Sequence, residues 1–97
     1  MKQYIIERDI PGVGALRPEE LAAASEKSNA VLATLGGRVK WHFSYVVDDK
    51  TFCVYEADGV ANVMEHARLS GFPASKVSEV RSVMSPQTAR GAASAPA

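Results

Sequence analysis

The chain predicts an α+β domain, because four strand-like segments and two helix-like ones follow in the order β-α-β-β-α-β. With connections this short, that order is the split βαβ, or ferredoxin-like, arrangement. Right-handed crossovers then put both helices on one face of a four-stranded antiparallel sheet. The opposite face is left open. A second copy of the chain is the expected cover, since a two-fold contact needs only one self-complementary patch. A chain of 97 residues makes one domain and buries roughly 64% of its unfolded surface. Residues 1–88 form that domain, and the tail 89–97 (A-R-G-A-A-S-A-P-A) has no apolar period and is expected to be disordered.

Each element has a local reason. Lys2 to Arg8 is rich in β-branched and aromatic residues and reads as the first strand. Asp9-Ile10-Pro11-Gly12-Val13-Gly14 breaks it. Pro18 suits a first helical turn, and Glu19 and Glu20 are favourable at the positive end of the helix dipole. The first helix runs to about Leu35, where Gly36-Gly37 gives a stop. Its inward stripe is Leu21, Ala24, Ser25, Ser28, Val31, Leu32 and Leu35, with two serines in the middle. Asp58 is a candidate cap for the second helix, whose apolar stripe is Val60, Val63, Met64 and Ala67. On that helix His66 and Arg68 flank the stripe and Glu65 points outward, with Gly71 as the end. Lys76 to Met84 reads as the last strand.

The hairpin between the helices carries the chemistry. Side chains alternate across a strand, so Val39, Trp41, Phe43, Tyr45 and Val47 share one face and His42 and Ser44 the other. A two-residue turn within Asp48-Asp49-Lys50 adds Phe52 and Val54 to the aromatic face. Cys53 and Tyr55 then join His42 and Ser44. The serines of the first helix suit a polar pocket, so the polar set is placed beneath the helices and the aromatic row at a dimer interface. The opposite sorting, with aromatics in the core, is the alternative. Glu7 and Arg8 point to opposite faces, so one of them enters the region under the helices, where a lone charge needs a partner. Arg68 is a candidate partner for Glu7, and either arginine, Arg8 or Arg68, is a candidate for binding a ligand carboxylate.

Composition excludes several classes. Lysines and arginines number 11 and acids 11, and no basic cluster stands out, so neither nucleic acid nor anionic lipid is an expected partner. A single cysteine forms no internal disulfide and fits a reducing compartment. No apolar run approaches the ~18 residues of a membrane span, and the expected location is the cytoplasm. Gly12-Val13-Gly14 is not a dinucleotide fingerprint, because Arg17 stands where the third glycine belongs.

The strings E-R-D-I-P-G (Glu7 to Gly12), W-H-F-S-Y-V-V-D-D-K (Trp41 to Lys50), F-C-V-Y-E-A (Phe52 to Ala57), E-H-A-R (Glu65 to Arg68) and G-F-P-A (Gly71 to Ala74) resemble a family of small bacterial proteins known as a domain of unknown function. Some of its members are described as nickel-binding or nickel-responsive. The resemblance covers residues 2 to about 88 and implies a ferredoxin-like fold, a homodimer and Ni2+ or another divalent transition metal as the bound ion. His42, Cys53 and His66 are the imidazole and thiol candidates for ligands, and imidazole suits nickel, copper and zinc. With only two histidines and one cysteine, further ligands come from carboxylates, water or a second subunit.

The leading expectation is therefore a non-catalytic metal-binding protein with Glu7, Ser25, Ser28, Ser44, Tyr55 and Arg68 around the site. The rival is a small cofactor-independent enzyme, similar to isomerases, cyclases or monooxygenases of this fold. It would use His42 and Tyr55 for acid-base work on an organic molecule between helices and sheet. Cys53 as a nucleophile is the weakest option, since no group is placed to orient His42 as its base.

Overall fold

The computed structural model describes residues 1–90. Strands β1 (Lys2–Asp9), β2 (Val39–Val46), β3 (Lys50–Ala57) and β4 (Lys76–Glu79) form one sheet in the order β2-β3-β1-β4, all neighbours antiparallel. Helices α1 (Pro18–Thr34) and α2 (Val60–Ser70) complete the expected βαββαβ order. The core joins Tyr4, Ile6, Val39, Cys53, Tyr55 and Ala57 of the sheet to Leu35 beyond α1 and Val63 of α2.

α1 follows its sequence pattern closely. Pro18 opens it, and Glu20 reaches back to accept a hydrogen bond from the Arg17 backbone N–H at 3.0 Å. Every residue of the stripe from Leu21 to Leu35 is buried or half-buried. Gly36 and Gly37 follow at φ 61° and 82°, a left-handed path that terminates the helix.

α2 departs from its pattern. Its buried residues are Val63, His66, Ala67 and Ser70, while Val60 and Met64 are exposed. The helix is rolled toward His66, so that Val63 and Ser70 lie at the middle of the buried stripe and His66, which a hydrophobicity count places on the flank, falls within it. The cap differs too: Gly59, not Asp58, holds the N-cap position.

β4 ends at Glu79, short of the expected Met84. Glu79 pairs with Tyr4, and Val80 N–H donates to Gln3 O at 2.8 Å. A 3-10 turn at Pro86–Arg90 takes in the first two residues of the expected disordered tail; residues 91–97 lie outside the described part.

The loop after β1 is locked onto the hairpin turn. Ile10 N–H donates to Asp49 O, Gly12 N–H to the Asp49 carboxylate and Gly14 N–H to Asp48 O, all at 2.8–3.0 Å. A Cβ at position 14 would stand 2.7 Å from Val47 O and 2.8 Å from Asp48 Cα, and backbone cannot swing aside as a side chain can. Gly14→Ala is expected to cost about 1–2 kcal/mol by overpacking. That corresponds to a drop in melting temperature of roughly 4–16 °C for a domain of this size. A melting curve that overlays the wild type would show the close approach to be unimportant.

Candidate functional site

The hairpin contains a β-bulge that redistributes its chemistry. Trp41 pairs with Tyr55 and Phe43 with Val54, so His42 is an extra residue on β2 with no partner on β3. Strict alternation therefore fails at one point. From Phe43 onward the expected sorting holds: Ser44 pairs with Cys53 toward the helices, and Phe43 and Tyr45 pair with Val54 and Phe52 on the open face. Before the bulge it reverses. Val39 and Trp41 turn toward the helices, against the expectation that they join the aromatic row outside. His42 turns away from them, against the expectation that it joins Cys53 and Tyr55.

Beneath the helices lies a cavity of about 230 Å³. Ser25 and Ser28 of α1, Ser44 and Trp41 of β2, Cys53 and Tyr55 of β3, and Arg8 of β1 all line it, with Leu16, Leu21 and Phe72 closing it from the loops and helix. The expected convergence of Ser25, Ser28, Ser44, Cys53 and Tyr55 is thus present. Each polar group is largely satisfied within the protein. Ser25 Oγ donates to Leu21 O at 2.9 Å, and Trp41 Nε1–H donates to Ser44 Oγ at 2.9 Å. Cys53 Sγ lies 3.4 Å from Thr51 Oγ1.

Arg8 is the charge that enters from β1. Its side chain is 3% exposed, and its guanidinium donates to Pro73 O at 2.9 Å, Phe72 O at 3.4 Å and Tyr55 Oη at 3.5 Å. The rings of Tyr55 and Phe72 lie 5.9 and 5.8 Å from its Cζ. Among the described residues no carboxylate forms an ion pair with it. Carbonyl dipoles and ring faces offset part of the desolvation, but the net charge remains, and isolated buried charges are costly. Glu7 points to the other face, where Lys50 Nζ meets it at 3.2 Å. The expected Arg68–Glu7 contact does not form: Arg68 pairs with Glu65 one turn away, its Nε donating at 3.0 Å, on the exposed surface.

His66 is fully buried, and its Nε2 shares a hydrogen bond with Ser28 Oγ at 3.1 Å. Among the described residues its Nδ1 has no partner. Burial first, then the nearby Arg8 cation, push its pKa down to about 4, with Ser28 acting weakly in the opposite sense. It is a neutral imidazole at neutral pH. Burial likewise raises the Tyr55 phenol above its ordinary value, Arg8 opposing.

On the open face, His42 Nε2 lies 3.1 Å from Glu56 Oε1, both half accessible to solvent. Phe43 and Tyr45 stand beside each other edge-to-face at 5.2 Å and are 47% and 64% exposed. His42 and Tyr55 therefore lie on opposite faces of the sheet and do not form the acid-base pair of the enzyme reading.

The three expected ligands do not converge either. Cys53 and His66 are inside and His42 is outside, and among the described residues no group of three histidine, cysteine or acidic side chains is placed to hold a metal ion. The inner cavity also carries the uncompensated Arg8 cation, whose field opposes a divalent ion there. The outer pair fits better. Two ligands bound at about 2.1 Å to one ion lie roughly 3.0–3.4 Å apart in octahedral or tetrahedral geometry, and an imidazole nitrogen with a carboxylate oxygen suits nickel. Residue-type reasoning passed over Glu56 because the flat-strand parity paired His42 with a different face. It also passed over Thr51, which the same alternation sets on the inner face with Cys53 and Tyr55, and Phe72, which becomes visible only once the loop after α2 closes on Arg8.

One sheet carrying two helices on a single face defines the molecule as a small ferredoxin-like α+β protein. Residues 4–80 match the family described as nickel responsive protein SCO4226-like, and the chain belongs to that family. Its fold is similar to the crystal structure of SCO4226 from Streptomyces coelicolor A3(2), with a TM-score of 0.71 at 15% identity, covering 84% of this chain and 99% of that one. At that identity the likeness concerns the fold alone. No curated protein matches the chain. Among the described residues no helix is long and apolar enough to cross a membrane.

Proposed function

We propose that this chain is a nickel-binding, non-catalytic homodimer that holds the ion on the open sheet face through His42 and Glu56. The observation that carries this reading is the 3.1 Å His42–Glu56 contact on a solvent-accessible face, in a family named for its response to nickel. Cys53 and His66, the other expected ligands, serve the inner side of the sheet instead. Two donors are too few for a stable site, so the remaining positions fall to water and to the same pair on a second copy. The exposed Phe43 and Tyr45 beside the pair supply apolar area for that two-fold contact.

Calorimetric titration with Ni2+ tests the ligand set. His42→Ala and Glu56→Gln are each expected to weaken binding by about 100-fold, since even outer-shell partners of a metal cost about 10–100-fold. Cys53→Ser and His66→Gln are expected to leave the affinity within a factor of a few. Sedimentation should give a dimer that Tyr45→Glu weakens. Nickel affinity that survives in His42→Ala and disappears in Cys53→Ser would move the site to the interior.

A further inference from the structure

We propose that the inner cavity binds a small organic carboxylate with an aryl or short alkyl body, whose anionic head pairs with Arg8. This site lies across the sheet from the His42–Glu56 pair and is independent of the nickel reading.

Three observations converge on it. The first is the cation: Arg8 is buried at 3% exposure with no acid paired to it among the described residues. Its present partners are two backbone carbonyls and a phenol, none of which carries a charge. A guanidinium presents five N–H donors in a fork that matches a carboxylate, and desolvated pairing of this kind is strong. The second is the space: about 230 Å³ exceeds the roughly 150 Å³ of an engineered cavity that accepts benzene. A ring with a carboxylate, or a short chain of about six to eight carbons, is the matching size.

The third is the lining. Leu16, Leu21, Val13 and the faces of Trp41 and Phe72 make most of the wall apolar. The serines spend hydrogen bonds elsewhere: Ser25 on its own helix, Ser28 with His66 and Ser44 with Trp41. A polyhydroxylated anion or a bare inorganic one would leave much of that wall unmatched. An organic cation meets Arg8 with the wrong sign. A neutral hydrocarbon fills the space and leaves the charge as it is. An amphiphilic monoanion matches both parts.

Trp41 lines the cavity and is the single tryptophan, so its fluorescence reports occupancy directly. Chelator-treated protein is titrated with benzoate, phenylacetate and octanoate, with methyl benzoate and benzylamine as neutral and cationic counterparts. The same series is run on His42→Ala, which keeps nickel ligation out of the result. Saturable changes are expected for the acids, with benzoate binding at least about tenfold tighter than methyl benzoate and benzylamine not binding. Arg8→Met should erase the preference for acid over ester. Ala24→Leu, which fills the cavity and retains Arg8, should abolish binding of both. If Arg8→Met does not fold, the wild-type preference together with Ala24→Leu decides. The proposal is overturned by absence of acid binding to folded wild type, by equal affinity for acid and ester, or by binding that Ala24→Leu leaves intact.

Discussion

Lowering the pH from 7 to 4 is expected to remove about 3 kcal/mol of stability from the wild type beyond what a His66→Gln variant loses over the same range. The fully buried imidazole of His66 has its pKa pushed down from 6.5 to about 4. The unfolded chain therefore takes up a proton on this side chain below pH 6.5, and the folded chain does not until about pH 4. Stability is whole above the upper value and falls as the pH drops through that window. At 1.36 kcal/mol per pKa unit the linkage gives about 3 kcal/mol. That is roughly 12–24 °C in melting temperature for a domain of this size. The cause is structural: burial penalises the imidazolium most, the Arg8 cation adds to it, and Tyr55, the ring packed beside it, offers no negative charge at neutral pH. Urea unfolding at pH 7, 6, 5 and 4 measures the difference, because the variant retains His42 and every carboxylate. Parallel stability curves would mean that His66 already titrates near its unfolded value.

The strength of this pH dependence comes from a residue whose position was only half legible. The periodicity of α2 locates the helix and its Gly71 stop, but it assigns the inner face to Val60, Val63, Met64 and Ala67. What rolls the helix is on the other side of the contact: Ser28 offers a hydrogen bond to His66, and Tyr55 lies with its ring 5.3 Å away. α1 shows the converse. Its serines sit in the stripe because they face a partly polar interior, and a sequence reading that kept them in the stripe found the cavity wall. Arg8 was legible as one of two alternatives, Glu7 or Arg8, since alternation sends one of them inward without saying which. The sheet registers decide it by setting Arg8 opposite the buried Thr51 and Glu7 opposite Phe52 and Lys76.

Deleting His42 is expected to leave the fold standing and to weaken nickel binding strongly, which is the sharpest test of the bulge. Trp41 already pairs with Tyr55, and Phe43 with Val54, so closing the gap produces an unbroken ladder with every other side chain on its present face. Changes at exposed positions usually stay within about 0.5 kcal/mol, and the pairs on both sides of the bulge are already formed. Nickel affinity, by contrast, should fall by about 100-fold as it does for His42→Ala. Deleting Ser44 makes the complementary case. The ladder again closes, but Phe43 now takes the place of Ser44 beneath α1, and His42 takes the place of Phe43 outside. An aromatic ring where a serine stood overpacks the cavity at a cost of about 1–3 kcal/mol and strips Trp41 Nε1 of its acceptor. Melting curves, Trp41 emission and nickel titration on the two deletions distinguish these outcomes. Had His42 been an ordinary ladder residue, its removal would swing Val39, Lys40 and Trp41 to the wrong faces, and a one-residue slip exchanges core for solvent along the whole segment. A deletion of His42 that unfolds the hairpin, or one that folds and still binds nickel with wild-type affinity, would overturn the bulge or the ligand assignment respectively.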